Sequence, residues 1–216
     1  RPDGSMIRPD LFIPVAEDSG LVLPITDQVI ACVIADMRAA LVADRALHIA
    51  INLCASDIET GRVLDVLERA LDGTGIEAQQ IWLEATERGF INVEAARATI
   101  EKARVRGHAV AIDDFGTGYS SLSSLQNLPL DALKIDKSFV DTIGTDAATS
   151  SVTPHIIDMA RTLNMLIVAE GIETQQQADY LRERKVEFGQ GWLFAKALPA
   201  LDFLAFYASR RLPSST

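Results

Sequence analysis

The sequence predicts an α/β protein whose parallel strands form a barrel, and three observations favour this fold class. Six short apolar runs alternate along the chain with patterns of helical spacing. The runs are almost continuously apolar, which is typical of parallel strands buried on both faces. Polar residues stand at the carboxyl ends of five of them. An open doubly wound sheet gathers site residues near one switch point, whereas all strands of a barrel end in one mouth, so this distribution favours the barrel.

Each element has a local signal of its own. Apolar residues at helical spacing predict a short helix over Pro9 to Ser19 and a long one over Pro24 to Ala43. The predicted strands cover His48 to Leu53, Gln80 to Ala85, Ala109 to Asp113, Ala132 to Ile135, Leu166 to Ala169 and Val186 to Phe188. Further helices are predicted over Glu59 to Leu71, Asn92 to Arg106, Ser120 to Asn127, Thr153 to Leu163, Thr174 to Arg184 and Pro199 to Arg210. A closed barrel of this type has eight strands, so two are missing from this sequence.

The composition describes an ordinary globular protein without a basic surplus. The formal net charge is −10, and 48% of the residues are hydrophobic. An acidic chain cannot readily displace counterions from a nucleic-acid backbone, so we expect no nucleic-acid polymer as a partner. Bound divalent ions can still supply the charge that a phosphate ligand needs. Cys32 and Cys54 lack metal-ligand or redox spacing and are expected to be free thiols, and no apolar run is long enough to span a membrane.

The most informative segment runs from Ala111 to Leu122. An apolar strand there ends in Asp113 and Asp114 and continues into a loop rich in glycine and hydroxyl residues. Two adjacent carboxylates at the end of a buried strand indicate a cation that neutralises them. The alternative is a solvated turn, since aspartate and glycine are common turn residues.

The other polar residues at strand ends complete a candidate site. Oxygen ligands are offered by Asn52, Glu84, Asp113, Asp114 and Glu170, with Lys134 as the cation among them. Oxygen ligands alone favour Mg²⁺ or Mn²⁺, and two such ions would support an in-line displacement at phosphorus. Each residue also has a simpler explanation: Asn52 capping a turn, Glu84 pairing with Arg88, Lys134 at the surface, and Glu170 in a turn. Together these explanations do not account for the repeated position at strand ends.

Several segments resemble the EAL domain family of cyclic di-GMP phosphodiesterases. They are Phe12 to Glu17, Ile51 to Leu53, Leu83 to Glu87, Ile112 to Leu122, Leu133 to Asp136, Ala169 to Thr174 and Gln190 to Phe194. The resemblance extends in order over nearly the whole chain. It implies a modified (β/α)₈ TIM-like barrel, with an EAL phosphodiesterase domain over residues 1–212 and a tail over 213–216. It also implies two Mg²⁺ or Mn²⁺ ions and hydrolysis of cyclic di-GMP to linear pGpG.

The resemblance implies a role for each matching residue. The implied metal ligands are Asn52, Glu84, Asp113, Asp114 and Glu170, with Asp113 bridging both ions. The implied catalytic residues around the attacking water are Lys134, Glu170, Gln190 and Asp114. Glu87 and Glu173 are expected to anchor loops, and Asp136 and Gln190 to contact the substrate. The family's dimer contacts imply a homodimer through Phe115 to Leu122.

One departure limits this inference. The Glu-Ala-Leu motif that names the family does not occur in these 216 residues, and we expect it, with the two missing strands, upstream of Arg1. The resemblance therefore also implies a longer parent protein, with upstream sensor or GGDEF-type domains. A cytoplasmic domain, in a parent that can be membrane-anchored, is implied as well. A catalytically inactive cyclic di-GMP receptor is the alternative function.

Overall fold

A parallel sheet of six strands organises the part of the chain that the structure describes. The structure is a computed structural model that describes residues 7–116, 127–145 and 151–210. Its strands are β1 Ile49–Leu53, β2 Ile81–Thr86, β3 Val110–Phe115, β4 Ala132–Ile135, β5 Leu166–Ala169 and β6 Phe188–Gly189. They lie in the order β1-β2-β3-β4-β5-β6, and every neighbouring pair is parallel. Strand order follows chain order without the reversal that a doubly wound sheet requires, so the prediction of a barrel-type sheet is confirmed.

Two helices precede the first strand, and the others alternate with the strands along the chain. They are α1 Pro9–Asp18, α2 Val22–Ala43, α3 Ala55–Thr60, α4 Arg62–Leu71, α5 Val93–Val105, α6 Lys137–Val140, α7 Val152–Thr162, α8 Gln175–Glu183 and α9 Ala200–Arg210. Short 3₁₀ turns cover Ala78–Gln80 and Glu87–Phe90. Within these described ranges, none of the helices is long and apolar enough to cross a bilayer.

The sheet curls into a half-barrel. The ring of His48, just before β1, lies 5.3 Å from the ring of Phe188 in β6, measured between ring centroids. The first and last strands of the described sheet therefore approach each other across its concave side. This curl, which follows from the natural twist of parallel strands, directs their carboxyl ends toward a common opening.

The two faces of the sheet have different compositions. Alternate residues of the strands, such as Ile51, Leu83 and Leu133, are buried with the helices in the main hydrophobic core. The residues between them face the concave side, because side chains alternate along a strand. These concave residues are apolar near the amino ends of the strands and polar at their carboxyl ends. The sheet thus packs against helices on its outside and presents polar groups inside its mouth.

The structure corrects some predicted boundaries. The helix predicted over Glu59 to Leu71 corresponds to α4, which begins at Arg62 because Gly61 before it has a positive φ of 65°. Most of α3, on the other side of Gly61, was not predicted. The short helix α6 was not predicted, and the last strand begins at Phe188 instead of Val186. The backbone N–H of Val186 instead donates to Leu181 O at the end of α8. The helix predicted over Ser120 to Asn127 falls almost entirely outside the described residues, as does the tail over 213–216.

A buried charge fixes the segment that follows β1. Asp57 in α3 is fully buried, and its carboxylate accepts hydrogen bonds from Thr26 Oγ1 at 3.0 Å and Arg62 Nη1 at 2.9 Å. The thiol of Cys54 also lies 3.3 Å from this carboxylate. Because a buried carboxylate is stable only when it is paired, these bonds tie α2, α3 and α4 together beside the end of β1.

Candidate functional site

Charged side chains from four successive strands converge inside the mouth of the half-barrel. Glu84 in β2, Asp113 in β3, Lys134 in β4 and Glu170, directly after β5, all have buried or largely buried side chains. We call these four residues the acid ring. Sequence analysis predicted all four as site residues, and the structure brings them into contact.

Lys134 is the centre of the acid ring. Its Nζ atom lies 2.6 Å from Glu84 Oε2, 3.0 Å from Asp113 Oδ1 and 2.5 Å from Glu170 Oε1. Lys134 is only 4% exposed, so the alternative of a surface lysine is wrong. Glu84 pairs with Lys134, and not with Arg88, among the described residues. One ammonium group therefore faces three carboxylates, which leaves a surplus of negative charge in the ring.

Burial and charge shift the pKa values in the acid ring. For Lys134, burial alone would lower the pKa, but attraction to Glu84, Glu170 and Asp113 outweighs it and raises the pKa. Burial raises the pKa of Glu84 and of Glu170, and the nearby Lys134 only partly offsets this effect. Lys134 is therefore a fixed cation at neutral pH, whereas the two glutamates bind protons more readily than exposed carboxylates do.

A β-bulge turns two adjacent aspartates toward the same site. Ile112 pairs with Leu133 and Phe115 pairs with Ile135, so two residues of β3 lie opposite the single residue Lys134 of β4. Asp114 has a left-handed backbone with φ of 53°, which is uncommon for a residue with a side chain. Such bulges redirect side chains near functional sites. Without it, Asp113 and Asp114 would point to opposite faces of the sheet.

The bulge produces a cluster of possible metal ligands. Carboxylate oxygens of Asp113, Asp114 and Glu170 lie within 4.8 Å of one another. Burial, followed by repulsion from Asp113 and Asp136, raises the pKa of Asp114. Several close carboxylates with few positive partners match the ligand set of Mg²⁺ or Mn²⁺. The solvated-turn alternative does not explain why these oxygens converge.

Gln190 holds Glu170 from the neighbouring strand end. Its side-chain Nε2 donates a hydrogen bond to Glu170 Oε1 at 2.8 Å, and its backbone oxygen accepts one from Ile172 N at 3.0 Å. The following Gly191 lies so close to Ile172 that a Cβ atom there would be 2.2 Å from Ile172 O. The loops after β5 and β6 therefore pack backbone against backbone, which fixes Gln190 relative to Glu170.

The two predicted anchoring residues contact different parts of the chain. Glu87 Oε1 accepts a hydrogen bond from Gly116 N at 3.0 Å, where the chain leaves β3. Residues 117–122 of the predicted loop lie outside the described ranges. Glu173 instead forms an ion pair with Lys137, whose Nζ is 2.9 Å from Glu173 Oε1. Sequence analysis missed Lys137; its place directly after the Leu133-to-Asp136 segment is the signal that could have indicated it.

The remaining two predicted residues lie at the edge of the acid ring. Asn52 is the register partner of Glu84, and its side chain is exposed on the concave face. Asp136 caps α6, because its Oδ1 accepts from Ser138 N at 3.0 Å. Its carboxylate is therefore engaged with the backbone, and its predicted role in substrate contact stays a prediction.

A large cleft opens beside the acid ring. Its volume is about 1240 Å³, and its lining includes Asn52, Thr86, Glu87 and Asp114 on the sheet side. Ile13 of α1 and Val22 of α2 line the opposite side. The cleft combines an apolar wall with acidic groups, so phosphate groups can enter it only together with divalent cations that neutralise the acids.

Comparison with known proteins identifies related sequences. The chain matches the family described as EAL domain over residues 1–197. It is 46% identical over 202 residues to the "Probable cyclic di-GMP phosphodiesterase PdeB" of Escherichia coli (strain K12), covering 94% of this chain and 38% of that protein. It is 37% identical over 216 residues to the "Cyclic di-GMP phosphodiesterase NbdA" of Pseudomonas aeruginosa, covering 99% and 28%. The chain thus spans less than half the length of these curated relatives.

Solved structures share the fold. The structure titled "PaMucR Phosphodiesterase, c-di-GMP complex" superposes with a TM-score of 0.86 and 34% identity, covering 94% of this chain and 83% of that one. The structure titled "Structure of EAL Enzyme Bd1971 - cAMP and cyclic-di-GMP bound form" gives a TM-score of 0.88 and 32% identity, covering 95% and 57%.

Proposed function

The chain belongs to the EAL domain family, and we propose that it hydrolyses cyclic di-GMP to linear pGpG with the help of two divalent ions. The observation that carries the proposal is the acid ring, in which Glu84, Asp113 and Glu170 lie within 3.0 Å of Lys134 Nζ. The names of related proteins contain this substrate. The chain has every site residue that the family resemblance assigns within its length.

The residues of the site fit Mg²⁺ or Mn²⁺. Asp113, Asp114 and Glu170 supply clustered oxygens, and Glu84 and Asn52 lie next to them in the β1–β2 ladder. The described site offers carboxylate and amide oxygens, which suit hard divalent cations better than zinc or copper. When bound, such ions lower the pKa of a water molecule and stabilise negative charge on phosphate oxygens.

The protein side chains have complementary roles in this reaction. Lys134, with its raised pKa, stays protonated, so it acts as a positive charge beside the attacking water and not as a base. Glu170 Oε1 is held by Lys134 Nζ at 2.5 Å and by Gln190 Nε2 at 2.8 Å, which leaves Oε2 to accept the proton of that water. The new bond joins the water oxygen to phosphorus, and the bond from phosphorus to the 3′ oxygen breaks. The departing oxygen then takes up a proton.

A second candidate function is binding of cyclic di-GMP without hydrolysis. It differs from the first in the glutamate of the Glu-Ala-Leu motif, which we expect upstream of Arg1 in the natural protein. The family resemblance assigns that glutamate to the metal site. A chain that lacks it would keep the cleft and most of the acid ring but lose part of the ligand set.

The two functions are separated by product analysis. The natural protein containing residues 1–216 is incubated with cyclic di-GMP and Mg²⁺ or Mn²⁺, and pGpG is measured by chromatography. We expect pGpG to form, and Asp113→Asn to abolish it and weaken metal binding. Asp158→Asn, the same change at an exposed position of α7, serves as the control. Tight binding without pGpG would favour the receptor, and normal turnover by Asp113→Asn would contradict the two-metal assignment.

Further parts of the proposal concern the context of the domain. A homodimer through the Phe115-to-Leu122 region and upstream sensor or GGDEF-type domains are proposed on the family resemblance. The greater length of the curated relatives supports the presence of additional domains. A cytoplasmic location is proposed as well, and the free thiols of Cys32 and Cys54 are consistent with a reducing compartment.

A further inference from the structure

A small apolar cluster lies inside the curl of the sheet, separate from the main core. It consists of Trp82, Ala111 and Ala132, with Ala109 and Val168 packed against it. We call these five residues the floor cluster. Trp82 is 8% exposed and is much the largest side chain of this cluster, whose other members are three alanines and one valine. The small residues on β3 and β4 leave the space that the indole occupies.

The floor cluster lies directly beneath the acid ring. Residues two apart on a strand point to the same face, so each member of the ring has a floor residue one layer below it. The four pairs are Trp82 with Glu84, Ala111 with Asp113, Ala132 with Lys134 and Val168 with Glu170. Each of the four charged side chains therefore lies directly above a side chain of the floor cluster on the same strand.

Trp82 also connects the two ends of the curled sheet. Its ring stacks on His48 with centroids 4.4 Å apart and meets the edge of Phe188 at 5.7 Å. His48 directly precedes β1, and Phe188 precedes Gln190 by two residues on the β6 side. The indole therefore spans the concave side from β1 and β2, past β3 and β4, to β6. A smaller side chain at this position could not reach all of these contacts.

We propose that Trp82 is a positioning residue that sets the separations within the acid ring from below. The inference rests on the proposed function only in treating the ring as a metal site. Interiors are close-packed, so an indole held between strands fixes how tightly the sheet curls. The curl fixes how far Glu84 lies from Glu170, and small displacements of ligands have large effects on binding and catalysis.

The experiment compares Trp82→Ala and Trp82→Phe with two controls. Leu67→Ala removes a fully buried side chain from α4 in the main core, and Trp192→Phe replaces the chain's other, 64% exposed tryptophan. The first readout is the ¹⁵N–¹H NMR signal of the Lys134 ammonium group in metal-free protein, which reports its three carboxylate contacts. The second readout is Mn²⁺ affinity, measured from the free Mn²⁺ signal in electron paramagnetic resonance.

We expect Trp82→Ala to shift or broaden the Lys134 signal and to weaken Mn²⁺ binding by about 10- to 100-fold, as is usual when support of metal ligands is lost. Trp82→Phe should give a smaller change in the same direction. Leu67→Ala should lower the melting temperature yet leave both readouts at wild-type values, and Trp192→Phe should change neither.

An unchanged Lys134 signal together with unchanged Mn²⁺ affinity in Trp82→Ala would overturn the proposal, whatever its melting temperature. If Trp82→Ala does not fold, Trp82→Phe decides, and wild-type values of both readouts in that variant overturn the proposal. Equal effects from Leu67→Ala would show a merely structural role and overturn it too. The NMR readout needs neither metal nor hydrolysis, so absence of pGpG formation contradicts the proposed function without affecting this test.

Discussion

Replacing Lys134 by methionine tests the charge balance of the acid ring. Methionine has a similar length but no charge, so the variant leaves Glu84, Asp113 and Glu170 buried without their ammonium partner. Removing one partner of a buried ion pair usually costs about 3–5 kcal/mol, because the remaining charge loses its compensation. For a domain of this size, 1 kcal/mol corresponds to a change of about 2–4 °C in melting temperature. We therefore expect the metal-free variant to melt about 6–20 °C below the wild type.

The loss of stability in Lys134→Met should increase as the pH rises. The pKa of Glu84 and of Glu170 is already raised by burial, and removal of Lys134 raises it further. A carboxyl group whose pKa is higher in the folded state contributes stability below the unfolded value of 4.5, and this contribution is lost as the pH rises through the folded value. The difference between wild type and Lys134→Met should therefore increase from pH 5 to pH 8.

The measurement is thermal unfolding followed by circular dichroism in the presence of a chelator, at several pH values. Lys102→Met, the same replacement at an exposed position of α5, should change the melting temperature by less than about 2 °C. Combining Lys134→Met with Glu84→Gln should recover part of the loss, because it removes one uncompensated charge. Addition of Mn²⁺ should stabilise Lys134→Met more than the wild type. Equal melting temperatures of wild type and Lys134→Met, or a loss that shrinks with rising pH, would refute the reasoning.

Two further predictions concern the neighbours of the acid ring. Glu87→Ala removes the acceptor of the Gly116 N–H and should lower both turnover and Mn²⁺ affinity by about 10-fold or more. Glu87→Gln keeps an acceptor and should retain most of both. Normal Mn²⁺ affinity of Glu87→Ala in a titration would contradict the anchoring role. Gln190→Glu places a second carboxylate beside Glu170 and should raise the pKa of Glu170. The acid limb of the pH–rate profile should therefore move to higher pH. A limb at the wild-type position would argue against Glu170 as the proton acceptor.

Local sequence patterns were sufficient to predict most of the elements. The runs Ala132 to Ile135 and Leu166 to Ala169 were predicted with the bounds that the structure has. Both runs are mostly apolar, as is typical of strands in a parallel sheet, and this pattern is visible without knowing which strands lie beside them. The break at Gly61 was not predicted, although glycine readily takes the left-handed backbone that it has there. The structure adds that a Cβ atom at this position would lie 3.0 Å from Thr99 Oγ1.

The members of the candidate site could also be predicted from the sequence, but their arrangement could not. Position at the end of a strand is a local property, and it was enough to select Glu84, Asp113, Lys134 and Glu170. That Lys134 contacts the other three depends on the register between β2, β3, β4 and β5. Register is set by contacts between residues distant in the chain, so no local pattern contains it.

The bulge in β3 and the floor cluster beneath the acid ring also show which features the sequence determines and which only the folded structure decides. The sequence by itself determined that two aspartates end a buried strand and that a tryptophan precedes Glu84 by two residues. Only the tertiary structure decided that Asp114 turns back toward the site and that the indole of Trp82 reaches across to Phe188. The physical reason is that side-chain type is fixed along the chain, whereas side-chain direction is fixed by the pairing and curl of strands that meet only in the folded protein.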